Sequence, residues 1–108
     1  MDFRLVYMTA SSRDEARKIG RALVEERLAA CTNVIDGMES TYWWQGKLTE
    51  EREAVLIAKT RAELLPELTE RVKALHSYTV PCVVALPILS GNPAYLEWLG
   101  AETERRKG

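Results

Sequence analysis

Hydrophobic and polar positions along the chain follow two alternating periods, which predict strands and helices in turn. Runs of apolar and β-branched residues predict strands, and apolar residues three or four positions apart predict helices. The predicted strands cover residues 3–9, 31–35 continued at 40–45, 54–60 and 82–89, and the predicted helices cover residues 12–29, 65–75 and 93–101. The order is β-α-β-β-α-β with a final helix, which predicts an α+β, ferredoxin-like fold.

A few residues predict where these elements begin, bend and end. Ser12 and Glu15 form a capping box at the start of the first helix. Asp36-Gly37 predicts a bulge or a bend in the second strand and Gly46 a tight turn, so strands two and three form a long projecting hairpin. Pro87 cannot donate to a strand ladder, which agrees with the strand order 4-1-3-2 and a fourth strand at the sheet edge.

Several strands are apolar on both faces, although the two main helices of such a fold cover only one face. Residues 55–57 and 83–86 are continuous apolar runs, and residues 42–44 place aromatic rings on both sides of one strand. One short C-terminal helix cannot cover the open face of a four-stranded sheet. A monomer would expose a large apolar patch, so the pattern predicts a homo-oligomer.

Composition places the chain among globular proteins and excludes several functional classes. Its 108 residues predict one domain spanning 1–108, and 46% hydrophobic residues are ample for a core. A net charge of -1 argues against a dedicated nucleic-acid partner. Neither a signal peptide nor an apolar run long enough to cross a membrane is evident, so we expect a cytoplasmic protein with no membrane partner.

The two cysteines are expected to be reduced thiols in that compartment. The predicted strand order places Cys31 and Cys82 on opposite edges of the sheet, too far apart for a disulfide. A cysteine at the start of a strand is usually a buried small hydrophobe, which is our expectation for Cys31. Cys82 follows a proline where the strand begins, so we expect it to be the more reactive thiol.

Candidate metal ligands are few. Cys31, Cys82 and His76 have no closely spaced pairing, so a high-affinity zinc site within one chain is not predicted. The acidic residues Glu50, Glu51 and Glu53 could bind metal weakly, but a solvated hairpin edge is the favoured interpretation. His76 is the only imidazole and lies in a predicted loop, which favours a structural or ligand-contacting role over catalysis.

The hairpin aromatics and one lysine are the remaining candidates for binding. The rings of Tyr42 and Trp44 could stack on bases, but the nearby charges are acidic, so interface packing is favoured. Lys59 interrupts an apolar strand and requires a carboxylate or anion partner. We expect Lys59 at a subunit boundary, close to His76 and Tyr78.

Five stretches in this order and spacing resemble the CutA family of divalent-cation tolerance proteins. They are LVEERLAACTNVI at 23–35, STYWWQGKLTEERE at 40–53, LIAKT at 56–60, RVKALHSYTVP at 71–81 and YLEWL at 95–99. The resemblance implies a cytosolic, PII-like trimer in which the hairpin of one subunit reaches along its neighbour. It also implies a relation to copper and other divalent metal ions.

Two departures from the family pattern affect its possible metal site. Cys82 stands where the family pattern has an acidic residue after the proline. Met8 and Leu75 replace a cysteine and a histidine that ligate copper in some members, so only His76 remains of that set. Met8 could still serve as a soft ligand to Cu(I).

Three functions follow as hypotheses. The first is a non-enzymatic homotrimer that binds divalent metal ions weakly, with His76 as the candidate ligand. The second is a PII-like small-molecule sensor or adaptor with ligand clefts between subunits, contacted by Tyr42, Trp44, Lys59, His76 and Tyr78. The third is an enzyme that uses His76, for which no nucleophile motif is present. No obligatory cofactor is predicted.

Overall fold

The computed structural model describes residues 2–104, and its strands form one antiparallel sheet. The elements are β1 (Phe3–Ala10), α1 (Arg13–Glu25), β2 (Cys31–Trp44), β3 (Lys47–Arg61), a 3-10 helix (Ala62–Leu64), α2 (Leu65–Leu75), β4 (Val83–Pro87) and α3 (Pro93–Glu102). The spatial order is β2-β3-β1-β4. The predicted ferredoxin-like α+β arrangement, its strand order and the edge position of Pro87 are confirmed.

The core lies between one face of the sheet and the helices α1 and α2. Met8 on β1, Leu56 on β3, Leu23 on α1 and Val72 on α2 belong to one cluster, and each is at most 1% exposed. Burial of such side chains is the main favourable term in folding. Because Met8 is enclosed by aliphatic side chains, the prediction that it could serve as a copper ligand is wrong.

Helix α1 ends at Glu25, four residues before the predicted end. Arg27 adopts a left-handed conformation with φ of 62°. The Arg27 N–H donates to the Val24 carbonyl at 3.1 Å, and the Leu28 N–H donates to the Leu23 carbonyl at 2.9 Å. This is the Schellman arrangement, which pairs the last helical carbonyls and turns the chain toward β2.

The hairpin of β2 and β3 is longer and more regular than predicted. The charged segment 49–53 lies within β3, and the loop is only Gln45 and Gly46, both with positive φ. The predicted bulge is confirmed: three steps from Ile35 to Met38 on β2 match two steps on β3. The bulge therefore inserts one extra residue into β2.

The predicted last strand and charged tail need correction. The strand is Val83–Pro87 rather than 82–89, because beyond Pro87 only the Ile88 N–H bonds to the sheet, at 3.0 Å from the Phe3 carbonyl. Thr103 in the predicted solvated tail is 1% exposed. Its hydroxyl accepts a hydrogen bond from Arg61 Nε at 3.1 Å and donates to the Leu99 carbonyl at 2.8 Å. Residues 105–108 of that tail lie outside the described residues.

The second face of the sheet is only partly covered. Helix α3 packs Leu99 against Phe3 and Ala30 at one end. Elsewhere Ile35, Val84 and Leu86 remain 51–55% exposed. The expectation that one short helix cannot cover this face is confirmed. Among residues 2–104, no helix is long and apolar enough to span a membrane.

Candidate functional site

A cleft of about 760 Å³ opens between the hairpin and the loop that follows α2. Strand β2 contributes the rings of Tyr42 and Trp44, β1 contributes Tyr7, and the loop contributes Tyr78. Side chains alternate along a strand, so the even-numbered residues of β2 beyond the bulge share this face. Three of the predicted ligand-contacting residues, Tyr42, Trp44 and Tyr78, are therefore brought together.

Two carboxylates give the cleft a negative potential. Glu53 is 7% exposed and accepts a hydrogen bond from the Tyr78 hydroxyl at 2.9 Å. Burial and then this bond raise the pKa of Tyr78 far above its usual value. A hydrogen bond to Glu51, followed by burial, raises the pKa of Tyr42. Both phenols therefore stay neutral and act as donors to the carboxylates at physiological pH.

The role of Glu53 is absent from the sequence predictions, which favoured a solvated acidic edge for residues 50–53. Glu50 and Glu51 are exposed as expected, but the prediction is wrong for Glu53. Glu51 and Glu53 alternate with Arg52 and pair with Ser40 and Met38, on the face of the hairpin that also carries Tyr42. That alternation is a signal the sequence contains, because it places both carboxylates beside the hairpin aromatics.

His76 lies behind the cleft with both ring nitrogens engaged. Its side chain is 1% exposed. The Tyr78 N–H donates to Nδ1 at 3.0 Å, so Nε2 carries the proton and donates to the Thr9 carbonyl at 2.8 Å. The ring also packs on Tyr78 with centroids 4.6 Å apart. Metal ligation by His76 would require one of these hydrogen bonds to break.

Glu15 joins the start of α1 to the loop that forms one wall of the cleft. The Ser12 hydroxyl accepts from the Glu15 N–H at 3.1 Å, as the predicted capping box requires. The Glu15 carboxylate does not return to Ser12. It accepts instead from the Ser11 N–H at 2.9 Å and from the Ser77 N–H at 2.8 Å. Glu15 therefore holds the loop residue next to His76.

Lys59 lies at the other end of the open face, away from this cleft. Its ammonium nitrogen is 3.4 Å from Asn33 Oδ1 and 3.8 Å from Cys31 Sγ, and it lies 5.6 Å from the centroid of the Tyr95 ring. Lys59 is six residues along β3 from Glu53, about 20 Å at the rise of a strand. Within one chain, the expected proximity to His76 and Tyr78 is not found.

The two cysteines are free and lie beside opposite edge strands, as expected. The prediction that Cys31 is buried is wrong, because it is partly exposed at the start of β2. Its sulfur is 3.4 Å from the Tyr95 hydroxyl. Cys82 lines the cleft, where burial and then the charge of Glu53 raise the pKa of its thiol. The environment of Cys82 therefore disfavours the reactive thiolate.

No group of three or more His, Cys, Asp or Glu side chains within residues 2–104 is arranged to hold a metal ion. Glu51 and Glu53 line the cleft from β3, where they pair with Ser40 and Met38 of β2. Two carboxylates at alternate positions can attract a cation, but they do not complete the coordination shell of a transition metal.

Comparison with known proteins finds one family over nearly all of the described chain. The model of the CutA1 divalent ion tolerance protein family matches residues 4–102. The divalent-cation tolerance protein CutA of Thermus thermophilus is 54% identical over 99 residues, covering 92% of this chain and 96% of that protein.

A plant relative and a solved structure are also similar to this chain over most of its length. The protein named CutA 1, chloroplastic, from rice is 48% identical over 92% of this chain. The match covers 56% of the length of the rice protein. The solved structure of the divalent cation tolerance protein of Thermus thermophilus has a TM-score of 0.92 at 52% identity, covering 94% of this chain and 99% of that one.

Proposed function

Since the chain belongs to the CutA1 divalent ion tolerance protein family, we propose that it is a non-enzymatic homotrimer that binds divalent metal ions weakly. Copper is the first candidate ion. The trimer would act in the cytoplasm, in the response to metal ions and in their tolerance.

The observation that carries this proposal is the acidic cleft. Glu51 and Glu53 line it on one face of β3, and the buried Glu53 accepts a hydrogen bond from the Tyr78 hydroxyl. Weak binding is expected because two carboxylates supply too few ligands for a closed transition-metal site. Any further ligand would come from another lining residue such as Glu39 or Cys82, from water or from a neighbouring subunit.

The exposed apolar side chains support the trimer. Ile35, Val84 and Leu86 lie on the uncovered sheet face, and Trp43 on the hairpin is 72% exposed. Apolar patches of this kind are typical of protein interfaces.

His76 contributes to this function indirectly. It holds the Tyr78 backbone, and the Tyr78 hydroxyl in turn holds Glu53. The same hydrogen bonds leave His76 no free lone pair with which to act as a base. This arrangement supports a binding role over the enzymatic alternative.

Calorimetric titration with Cu²⁺ and Zn²⁺ tests the proposal. The wild-type protein should bind with low affinity, and Glu51→Gln and Glu53→Gln should each weaken binding at least tenfold. Glu50→Gln is the matched control, because it removes the same charge from a β3 position that faces away from the cleft. Absence of metal binding, or equal losses in all three variants, would contradict the proposal.

The small-molecule sensor is the second candidate, and the size of the cleft favours it. A volume of about 760 Å³ is in the range of pockets that hold small organic ligands and is far larger than a metal ion requires. The same titration with a metabolite panel separates the two functions.

A further inference from the structure

The lining of the cleft combines acidic and aromatic groups without a basic one. Among the described residues, no Lys, Arg or His side chain lines it. Glu51 and Glu53 supply negative charge, while Tyr42, Trp44 and Tyr78 supply aromatic rings. Within one chain, an anionic ligand would find no counter-charge among these lining residues, so the lining favours cations.

The polar groups in the cleft reinforce this selection. The Tyr78 hydroxyl is committed to Glu53. The pKa of Tyr42, Tyr78 and Cys82 is raised in each case with a contribution from Glu51 or Glu53. The negative charge of these carboxylates thus affects groups on both walls of the cleft, on β2 and on the loop after α2.

The apolar part of the lining distinguishes an organic cation from a bare metal ion. Trp44 is 46% exposed and Val80 is 68% exposed, and both line the cleft. A hydrated metal ion makes no use of such surfaces. An organic cation buries its carbon skeleton against them and places its charge near aromatic faces, where cation–π attraction adds to the carboxylate interaction.

We propose that the cleft binds a protonated primary amine with an apolar body. This inference rests on the proposed cation-binding role of the cleft and names the class of ligand. The ammonium group donates hydrogen bonds to Glu51 and Glu53, and the apolar body packs against Trp44 and Val80. No covalent step is involved.

Calorimetric titration of the assembled protein with phenethylammonium tests this assignment. Phenethyl alcohol is the neutral control, since it has the same body and lacks the charge. We expect the ammonium ion to bind at least tenfold more tightly than the alcohol, and its affinity to fall as salt is added. Equal binding of the two compounds would overturn the proposal, since the site would then be merely apolar.

Variants locate the site. Glu51→Gln should weaken phenethylammonium binding at least tenfold, and Trp44→Leu should weaken it severalfold. Glu50→Gln, on the opposite face of β3, should leave it unchanged. Glu51 is exposed, so its replacement is compatible with folding even if variants of the buried Glu53 are not. Loss of binding in Glu50→Gln to the same extent as in Glu51→Gln would overturn the assignment.

A parallel titration with Cu²⁺ separates this inference from the proposed function. Binding of Cu²⁺ without binding of phenethylammonium would overturn the amine proposal and leave the metal function intact. Binding of phenethylammonium without binding of Cu²⁺ would support the amine proposal and contradict the metal function. Failure of both would contradict both.

Discussion

Replacing Glu15 with glutamine should remove a pH-dependent part of the stability. The carboxylate accepts hydrogen bonds from Ser11 and from the Ser77 N–H. Burial alone raises the pKa of Glu15, but these hydrogen bonds outweigh burial and lower the pKa from 4.5 to about 2. In glutamine, one of the two acceptor oxygens becomes an NH₂ group that cannot accept, so at least one of these bonds is lost.

The magnitude follows from the difference between the folded and unfolded pKa values. A carboxyl group with a depressed folded pKa stabilises the protein fully above the unfolded value of 4.5 and loses this contribution as the pH falls toward 2. At about 1.4 kcal/mol per pKa unit, the shift corresponds to about 3 kcal/mol. The Glu15 side chain is only 15% exposed, so solvent screening reduces this value little.

Guanidinium denaturation followed by circular dichroism measures the effect at neutral pH and near pH 2. The protein concentration must be fixed, because assembly makes apparent stability depend on concentration. The stability difference between wild type and Glu15→Gln should shrink by about 3 kcal/mol as the pH falls.

Asp14→Asn is the control, since it removes a neighbouring charge of the same helical turn that does not bond to the loop. The reasoning would be refuted if the difference in free energy of unfolding between wild type and Glu15→Gln did not change with pH. An equal decrease, as the pH falls, in the stability difference between wild type and Asp14→Asn would also refute it.

Three further predictions concern assembly, thiol reactivity and packing. Leu86→Glu should shift sedimentation from three chain masses to one by charging the open face, and a stable wild-type monomer would contradict the trimer. Brief alkylation should label Cys31 before Cys82, which reverses the order expected from the sequence. Cys31 lies near a lysine ammonium, whereas burial and then the charge of Glu53 raise the pKa of Cys82. Mass spectrometry of the alkylated protein measures which cysteine is labelled first. Gly20→Ala should lower the free energy of unfolding by about 1–3 kcal/mol, since its Cβ would lie 2.8 Å from a β2 threonine oxygen. Gly91→Ala is the control in the same denaturation assay and should be nearly neutral, because the nearest neighbours of its Cβ lie at 3.5 Å or more.

The sequence predicts the bulge, the hairpin turn and the edge strand because the signals for them are local. The bulge at Asp36-Gly37, the turn at Gly46 and the edge proline Pro87 each act within a few residues. The end of α1 is less predictable, because Arg27 takes a left-handed conformation that usually favours glycine. Nothing in its residue type signals the Schellman turn.

The site is less predictable because its contacts are distant in sequence. Tyr78 and Glu53 are 25 residues apart and bond only because the loop after α2 packs against the hairpin. Composition makes Glu53 look like part of a solvated acidic run, and burial by that loop changes its role. Lys59 shows the opposite error, since Glu53, which the expected neighbour Tyr78 contacts, lies six residues away from it along β3.

The bulge in β2 has a consequence for how the chain length of this hairpin can vary during evolution. Between Ile35 and Met38, β2 contains one residue more than the segment of β3 with which it pairs. Deleting Gly37 would restore regular pairing and keep Tyr42 and Trp44 on the cleft side, changing only the direction in which the hairpin leaves the sheet. A single deletion between the bulge and Tyr42 would leave the bulge in place and exchange Trp43 for Trp44 in the cleft. Asp36-Gly37 is therefore the place in β2 where the loss of one codon preserves the chemistry of the cleft.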